Sequence, residues 1–204
     1  MRVIAFGCSF TYGHGLPDCF VPPSNPGDTP SKYAWPSLIA KELNVKCINK
    51  SSPGSSNKKI WHKLVSFESQ ITSNDIVVIS WTHLKRNCVI LSDKKYLNIA
   101  PWEADSPAGR VWYRFFDNDY NNNLELNLQM SHISLLLNSK GIKNYHFFAS
   151  RDEIKIETYN TANILNLNFQ DFNVDTGSDN AHPGHKSHSR FTKALYRKIK
   201  EINK

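Results

Sequence analysis

The sequence predicts an α/β fold in which a parallel sheet carries helices on both faces. Three observations predict it. Strand-like and helix-like patterns alternate along the whole chain, as crossover connections between parallel strands require. The clearest strand, residues 75–81 (Asp-Ile-Val-Val-Ile-Ser-Trp), is β-branched and nearly continuous in apolar character, the signature of a strand covered on both sides. A short apolar strand at residues 2–6 also runs directly into a small-residue turn, Gly7-Cys8-Ser9, where α/β proteins place ligand-binding groups.

The elements follow in order. After the first strand, residues 16–31 hold five of the ten prolines (Pro17, Pro22, Pro23, Pro26 and Pro30) and must be a loop. Residues 35–43 read as a helix, with Ala34, Leu38, Ile39 and Leu43 on one side, and residues 45–48 as the second strand. Helical spacing through Ile60, Leu64, Phe67 and Ile71 predicts a helix over 55–71, capped by Ser55 or Ser56. Residues 91–123 interrupt the alternation after the third strand, with Tyr96, Trp102, Trp112, Tyr113, Phe115, Phe116 and Tyr120. Insertions of this length are usually functional or disordered, and the aromatic content argues against disorder. A helix over 124–139, strands over 145–149 and 164–169, and a terminal helix over 186–202 complete the pattern. Asn121-Asn122-Asn123 is the one low-complexity patch, and no internal repeat is visible.

A chain of 204 residues suffices for one domain with a full core, so a single domain over 1–204 is expected. The hydrophobic (40%) and charged (21%) fractions are those of a soluble globular protein. No apolar run approaches the roughly 20 residues of a membrane helix, and Met1-Arg2 leads at once into a strand without the apolar region of a signal peptide. Cys8, Cys19, Cys47 and Cys88 lie far apart with no Cys-x-x-Cys pair, which predicts reduced thiols. The net charge of +7 raises the question of nucleic acid. Much of the excess (Lys186, Arg190, Lys193, Arg197, Lys198, Lys200 and Lys204) forms one stripe of the terminal helix opposite Phe191, Ala194, Leu195 and Ile202. No nucleic-acid motif accompanies it, so a solvated helix face is the expected role.

Two clusters carry chemistry. Ser9 lies at the C-terminal lip of the first strand, and Asp179-Asn180-Ala181-His182-Pro183 lies near the other end. A serine hydroxyl needs a base to become nucleophilic, and a neutral imidazole is one that works near pH 7. Asp179, three residues before His182, is close enough along a tight turn to orient the ring and stabilise its cation. Gly54, at a strand-to-helix turn, lets backbone approach a substrate closely, so its N–H and that of Ser9 are candidate oxyanion donors. His182, His185 and His188 also have a spacing that invites zinc, but no carboxylate or thiol ligand is obvious nearby.

Three blocks together resemble the SGNH hydrolase family, the GDSL esterases and lipases. Its nucleophile block matches Gly7-Cys8-Ser9-Phe10-Thr11-Tyr12-Gly13, its second block matches residues 49–57 around Gly54, and its closing Asp-x-x-His matches Asp179 and His182. The resemblance implies a three-layer α/β/α fold with a parallel sheet of about five strands, flavodoxin-like in plan. It implies a catalytic triad of Ser9, Asp179 and His182 that hydrolyses an ester through an acyl-enzyme without a cofactor or metal. Two positions depart from the pattern. Cys8 stands where the family usually has Asp, which makes it an alternative nucleophile. Ser80-Trp81-Thr82-His83 stands where the family has Gly-x-Asn-Asp, so Thr82 takes the place of the third oxyanion donor, with Asn87 as the alternative. Trp81, Arg86, Trp102 and Trp112 are the expected substrate contacts. Family substrates include lipids, acyl thioesters, acetylated sugars and aryl esters; the polar surroundings of Ser9 favour a short acyl group, such as acetyl on a carbohydrate. The expected partner is thus a small-molecule or glycan ester, and the expected location cytoplasmic or virion-associated. An acyltransferase using the same residues is a variant of this reading. The rival is a non-catalytic carbohydrate-binding or virion-associated structural protein that keeps the fold.

Overall fold

The computed structural model describes residues 1–92, 95–152 and 154–202. The chain opens with β1 (Arg2–Phe6) and a single helical turn, α1 (Ser9–Tyr12). The proline-rich segment is irregular apart from a two-residue antiparallel ribbon of β2 (Phe20–Val21) and β3 (Asn25–Pro26). Then come α2 (Trp35–Glu42), β4 (Lys46–Asn49), α3 (Asn57–Phe67) and β5 (Ile76–Trp81). The second half holds β6 (Asn87–Ser92), β7 (Lys95–Ile99), α4 (Pro107–Phe115) and α5 (Asp119–Asn138), followed by β8 (Lys143–Phe148), β9 (Ile164–Asn168) and α6 (His185–Ile202).

Five strands form one parallel sheet in the order β4-β1-β5-β8-β9. Numbered by their succession in the sheet this is 2-1-3-4-5, the flavodoxin-like plan, and the strand order reverses between β1 and β5. The pleat divides each central strand between two cores. Val3 and Ala5 of β1 and Val78 of β5 join Trp35, Ile39, Phe191 and Leu195 under α2 and α6. Ile4, Phe6, Val77, Ile79 and Trp81 join Ile60, Leu64, Met130 and Ile133 under α3 and α5. Apolar residues at both parities are what a sheet covered on both faces requires, so the three-layer architecture follows from strand sequence.

Local chemistry sets the element ends. Ser56 caps α3 by accepting from the Lys59 N–H (3.2 Å), and the predicted helix over 55–71 ends at Phe67, passing into a 3₁₀ turn over Glu68–Gln70. The helix predicted over 124–139 begins earlier: Asn118 caps α5 by accepting from Asn121 N–H (2.7 Å), so the Asn-rich patch falls in its first turns. On α6 the buried residues are Ser187, His188, Phe191, Thr192, Leu195 and Ile199; Ile202, assigned to the apolar stripe from spacing, is exposed. Lys204 of the basic stripe lies outside the described residues. The insertion is a structured unit: β6 and β7 pair as an antiparallel hairpin, and α4 follows, with its Ser106 cap accepting from Gly109 N–H (3.0 Å). Tyr113 of α4 donates to the Lys85 carbonyl (2.7 Å), tying the insertion to the segment that leaves β5.

Buried imidazoles accept hydrogen bonds in both cores, while His188 Nε2 and Trp35 Nε1 have no partner among the described residues. Trp81 Nε1–H donates to His146 Nδ1 (3.0 Å), so the proton of that ring sits on Nε2 and is given to Asn144 Oδ1 (3.0 Å). Trp35 N–H likewise donates to His188 Nδ1 (3.1 Å). Burial pushes both imidazoles down to about 3, so both are neutral at pH 7. All four cysteines are unpaired, and burial pushes the Cys47 thiol up to about 11. No helix among the described residues is long and apolar enough to cross a membrane.

Candidate active site

The C-terminal edge of the sheet, at the reversal between β1 and β5, gathers the chemistry-bearing residues. Ser9 is the first residue of α1. The N–H groups of a helix's first turn have no intrahelical acceptor, so the Ser9 N–H is available to a ligand. The segment after β4 is stitched to this turn. Asn49 Nδ2 donates to the Thr11 carbonyl (2.8 Å), Ser51 N–H to Asn49 Oδ1 (3.1 Å) and Ser52 N–H to the Gly7 carbonyl (3.3 Å). These bonds carry Gly54 to the same edge. Its φ of +67° lies in the left-handed region that favours glycine, and the space its Cβ would occupy is open for 4 Å.

The segment before α6 supplies the acid–base pair. Gly177 N–H donates to the His182 carbonyl (2.8 Å), closing a tight loop that brings Asp179 back onto His182. Asp179 Oδ2 lies 2.5 Å from His182 Nδ1, and Oδ1 accepts from the N–H groups of Ala181 (3.1 Å) and His182 (3.0 Å). A carboxylate only accepts, so Nδ1 carries the proton and the Nε2 lone pair is the free basic site. Burial alone would raise the Asp179 pKa, but the His182 N–H, the His182 ring and the Ala181 N–H outweigh it and hold the carboxyl below its ordinary range. For His182, burial pushes the pKa down, Asp179 pushes it back up, and the charges of His14 and Arg86 add to the lowering; the net lies below 6.5.

The two halves meet through residues just after Ser9. The Phe10 ring stands edge-on to the His182 ring (5.9 Å between centroids), and the His14 ring lies 4.2 Å from it. Ser178 N–H donates to the Gly15 carbonyl (2.7 Å). Gly15 has φ +87°, and a Cβ there would come within 2.6 Å of Asp179 Oδ1, so the contact needs a residue without a side chain. Among the described residues, neither Ser9 Oγ nor His182 Nε2 has a hydrogen-bond partner, so the serine and imidazole of the expected triad are not hydrogen-bonded to each other. Such bonds are often long or poorly aligned until a substrate is seated.

At the end of β5, Thr82 is fully buried and bridged to α3. Its N–H donates to Asn57 Oδ1 (2.7 Å), and its carbonyl accepts from Asn57 Nδ2 (3.1 Å). Its hydroxyl accepts from Arg86 Nη1 (3.2 Å), which leaves the O–H proton free to donate. The Arg86 guanidinium also stacks over Trp102, 4.8 Å from the ring centroid, and its Nε is buried without a partner among the described residues. Arg86 and Trp102 line a cavity of about 610 Å³ with His83, Leu84, Asp119 and Asp152. His83 Nδ1 lies 3.0 Å from Asp152 Oδ1, and that hydrogen-bonded pair forms one wall.

Several expected positions fall elsewhere. Trp81 is fully buried under α3 and α5, its indole N–H spent on His146, because the β5 pleat turns residue 81 into the core; it is not a substrate contact. Trp112 packs against Phe116 (5.6 Å) on α4 and does not line the Arg86 cavity. Asn87 is buried on β6, its Oδ1 taken by Cys88 N–H (2.7 Å), and it faces a crevice between α3 and α5. His182, His185 and His188 do not converge: His188 is buried on Trp35 N–H, and His185 packs edge-on to Tyr33 (5.5 Å). The group among the described residues whose ligand atoms lie within 4.8 Å of one another is His14, Asp179 and His182. His14 and Asn57 escaped the sequence reading, because nothing in their spacing distinguishes them from other loop and cap residues.

No family model matches the chain, and no curated protein matches it. Solved structures do. An acetyl xylan esterase from Butyrivibrio proteoclasticus superposes with a TM-score of 0.60 at 13% identity, over 98% of this chain and 64% of that one. A psychrotrophic esterase from Pseudoalteromonas, solved inhibited by monoethylphosphonate, gives 0.55 at 13% identity over 100% and 99%. A candidate lipolytic protein of the G-D-S-L family from Desulfitobacterium hafniense gives 0.52 at 11% identity over 96% and 98%. The chain has the fold of the SGNH (G-D-S-L) hydrolases, and it spans about two thirds of the length of the acetyl xylan esterase.

Proposed function

We propose that this chain hydrolyses a carboxylic ester through an acyl-enzyme formed on Ser9. The observation that carries the proposal is the short Asp179–His182 contact, which leaves Nε2 as a free base in a loop packed against the residues that follow Ser9. In the first half-reaction His182 Nε2 takes the Ser9 proton as Oγ attacks the carbonyl carbon. The oxygen's negative charge falls to the N–H groups of Ser9 and Gly54 and to the Thr82 hydroxyl, polarised by Arg86. Collapse of the tetrahedral intermediate breaks the ester C–O bond, and the imidazolium gives its proton to the leaving alkoxide. Water then repeats the sequence and returns Ser9 and a carboxylic acid.

The substrate we favour is a short acyl ester of a carbohydrate. The Arg86–Trp102 cavity supports it: an exposed indole suits a sugar ring, and Asp119, Asn123 and Asp152 offer acceptors and donors for hydroxyls. The similar fold of an acetyl xylan esterase points the same way. The test is reaction with p-nitrophenyl acetate, acetylated xylo-oligosaccharides and a fluorophosphonate, with mass mapping of the adduct. Label on Ser9, lost in Ser9→Ala together with turnover, is the expected result. Label on Cys8 that survives Ser9→Ala would reassign the nucleophile.

One observation favours a second reading, a carbohydrate-binding protein without turnover: Thr82 replaces the family's Asn, and its hydroxyl is already engaged by Arg86. Saturable binding of xylo-oligosaccharides with no adduct and no hydrolysis would decide for it.

A further inference from the structure

A second concavity lies on the α3 side of the sheet. Lys59 and Lys63 stand one turn apart on α3, Lys50 follows β4, and the three line a cavity of about 570 Å³ with Ser52, Phe67 and Tyr96. All three lysines are half-buried. Lys50 Nζ sits 4.2 Å from the Phe67 ring centroid and Lys59 Nζ 4.9 Å from that of Tyr96, while Lys63 Nζ donates to Ser52 Oγ (3.4 Å). Among the described residues no aspartate or glutamate pairs with any of the three. The carboxylate nearest along the helix, Glu68, is taken by Lys140.

Like charges four residues apart on a helix are unfavourable, and partial burial strengthens the repulsion. Burial, with the charges of Lys59 and Lys50, pushes Lys63 down to about 8, and burial lowers Lys59 as well. The two ring contacts offset part of this for Lys50 and Lys59. They leave three ammonium groups lining one concavity with no carboxylate partner among the described residues.

We propose that this cavity is a binding site for a small, multiply charged oxyanion, a phosphate or sulfate group held by Lys50, Lys59 and Lys63. The geometry favours a small ligand over nucleic acid. The three amines converge on one concavity, whereas a polynucleotide needs a row of cations along a groove. The basic stripe of α6 cannot extend the row, because α6 packs on the opposite face of the sheet. Tyr96 belongs to the β6–β7 hairpin, so the insertion closes one wall of this cavity.

The experiment is calorimetric titration of the full chain with inorganic phosphate, sulfate, phenyl phosphate and acetate, with thermal melts alongside. Phosphate should bind saturably, with acetate far weaker, and Lys59→Met or Lys63→Met should each weaken phosphate by about tenfold or more. Lys193→Met on α6 should leave binding unchanged. Lys63→Met should also melt higher than the parent without ligand and lose the rise that phosphate gives the parent. Tighter phenyl phosphate than phosphate would identify a phosphate ester as the occupant; equal affinity would identify the free anion. No saturable phosphate or sulfate binding overturns the proposal, as does binding that survives both lysine substitutions. An oligonucleotide that binds through Lys193 and Arg197 while phosphate does not would overturn it in favour of nucleic acid. None of these readouts passes through Ser9, so the result is independent of the esterase reading.

Discussion

His182 shows how far a single side chain is set by its neighbours. With its Nδ1 proton given to Asp179, the ring is a base only at Nε2. Asp179→Asn keeps the shape but removes the acceptor that fixes this tautomer, and should lower kcat by about 10³- to 10⁴-fold with the melting temperature little changed. A variant with near-parental turnover would show that another group orients the ring. Protonated His182 cannot act as base, so kcat/KM should rise with pH as the ring loses its proton. Burial, His14 and Arg86 all lower its pKa, which places the midpoint below 6.5. His14→Gln removes one neighbouring charge and should move the midpoint upward; a pH–rate profile of both proteins tests this. Gly15→Ala should act at a distance: the new methyl meets the Asp179 carboxylate, so activity should fall steeply in a protein that still folds.

Among elements, α6 both closes the core and follows the loop bearing Asp179 and His182. Phe191 and Leu195 are fully buried against the sheet, and Leu195→Ala should cost about 2–5 kcal/mol of stability, read as a shifted urea midpoint. This stripe was legible in the sequence because a helix against a sheet repeats its apolar residues every three to four positions. The strands were legible for a similar reason: 75–81 reads as doubly covered, and β5 is so covered. The insertion was not. Its hairpin alternates weakly, with Val89, Leu91 and Leu97 all exposed, so no period announces β6 and β7. At the site, Ser9, Asp179 and His182 stand out as residue types at recognisable turns. Asn57 does not, since its role depends on lying beside Thr82 across 25 residues of chain. Trp81 misled for the opposite reason: its position beside the third block is visible in sequence, whereas the side of the pleat it takes is set by register with β8.

Across the molecule, the two buried histidines make stability depend on pH. His146 and His188 stay neutral in the folded chain down to about 3, while in the unfolded chain they protonate near 6.5. Above pH 6.5 neither state gains protons at these rings, and they cost nothing. Below it the unfolded chain takes up protons that the folded chain cannot, so stability falls with pH, each ring contributing about 1.4 kcal/mol per unit. Urea unfolding at pH 7.5 and pH 5 should show this loss, and His146→Gln should reduce it by about half. An unchanged slope in that variant would mean that the buried ring takes up its proton without unfolding.

The loop that joins Gly15 to Ser178 gives the molecule a timetable as well as a shape. Ser9 is synthesised before His182, and four of the five strands of the parallel sheet (β4, β5, β8 and β9) lie between them. A growing chain can therefore lay down β1 through β9 while Ser9 has no imidazole to answer it. On the proposed mechanism competence arrives when the segment bearing His182 folds back across more than 160 residues and docks on the loop after Ser9, a closure slow by its length. On the proposed mechanism a polypeptide stopped short of residue 182 would lack its base, so turnover would report the docking of the segment that carries His182.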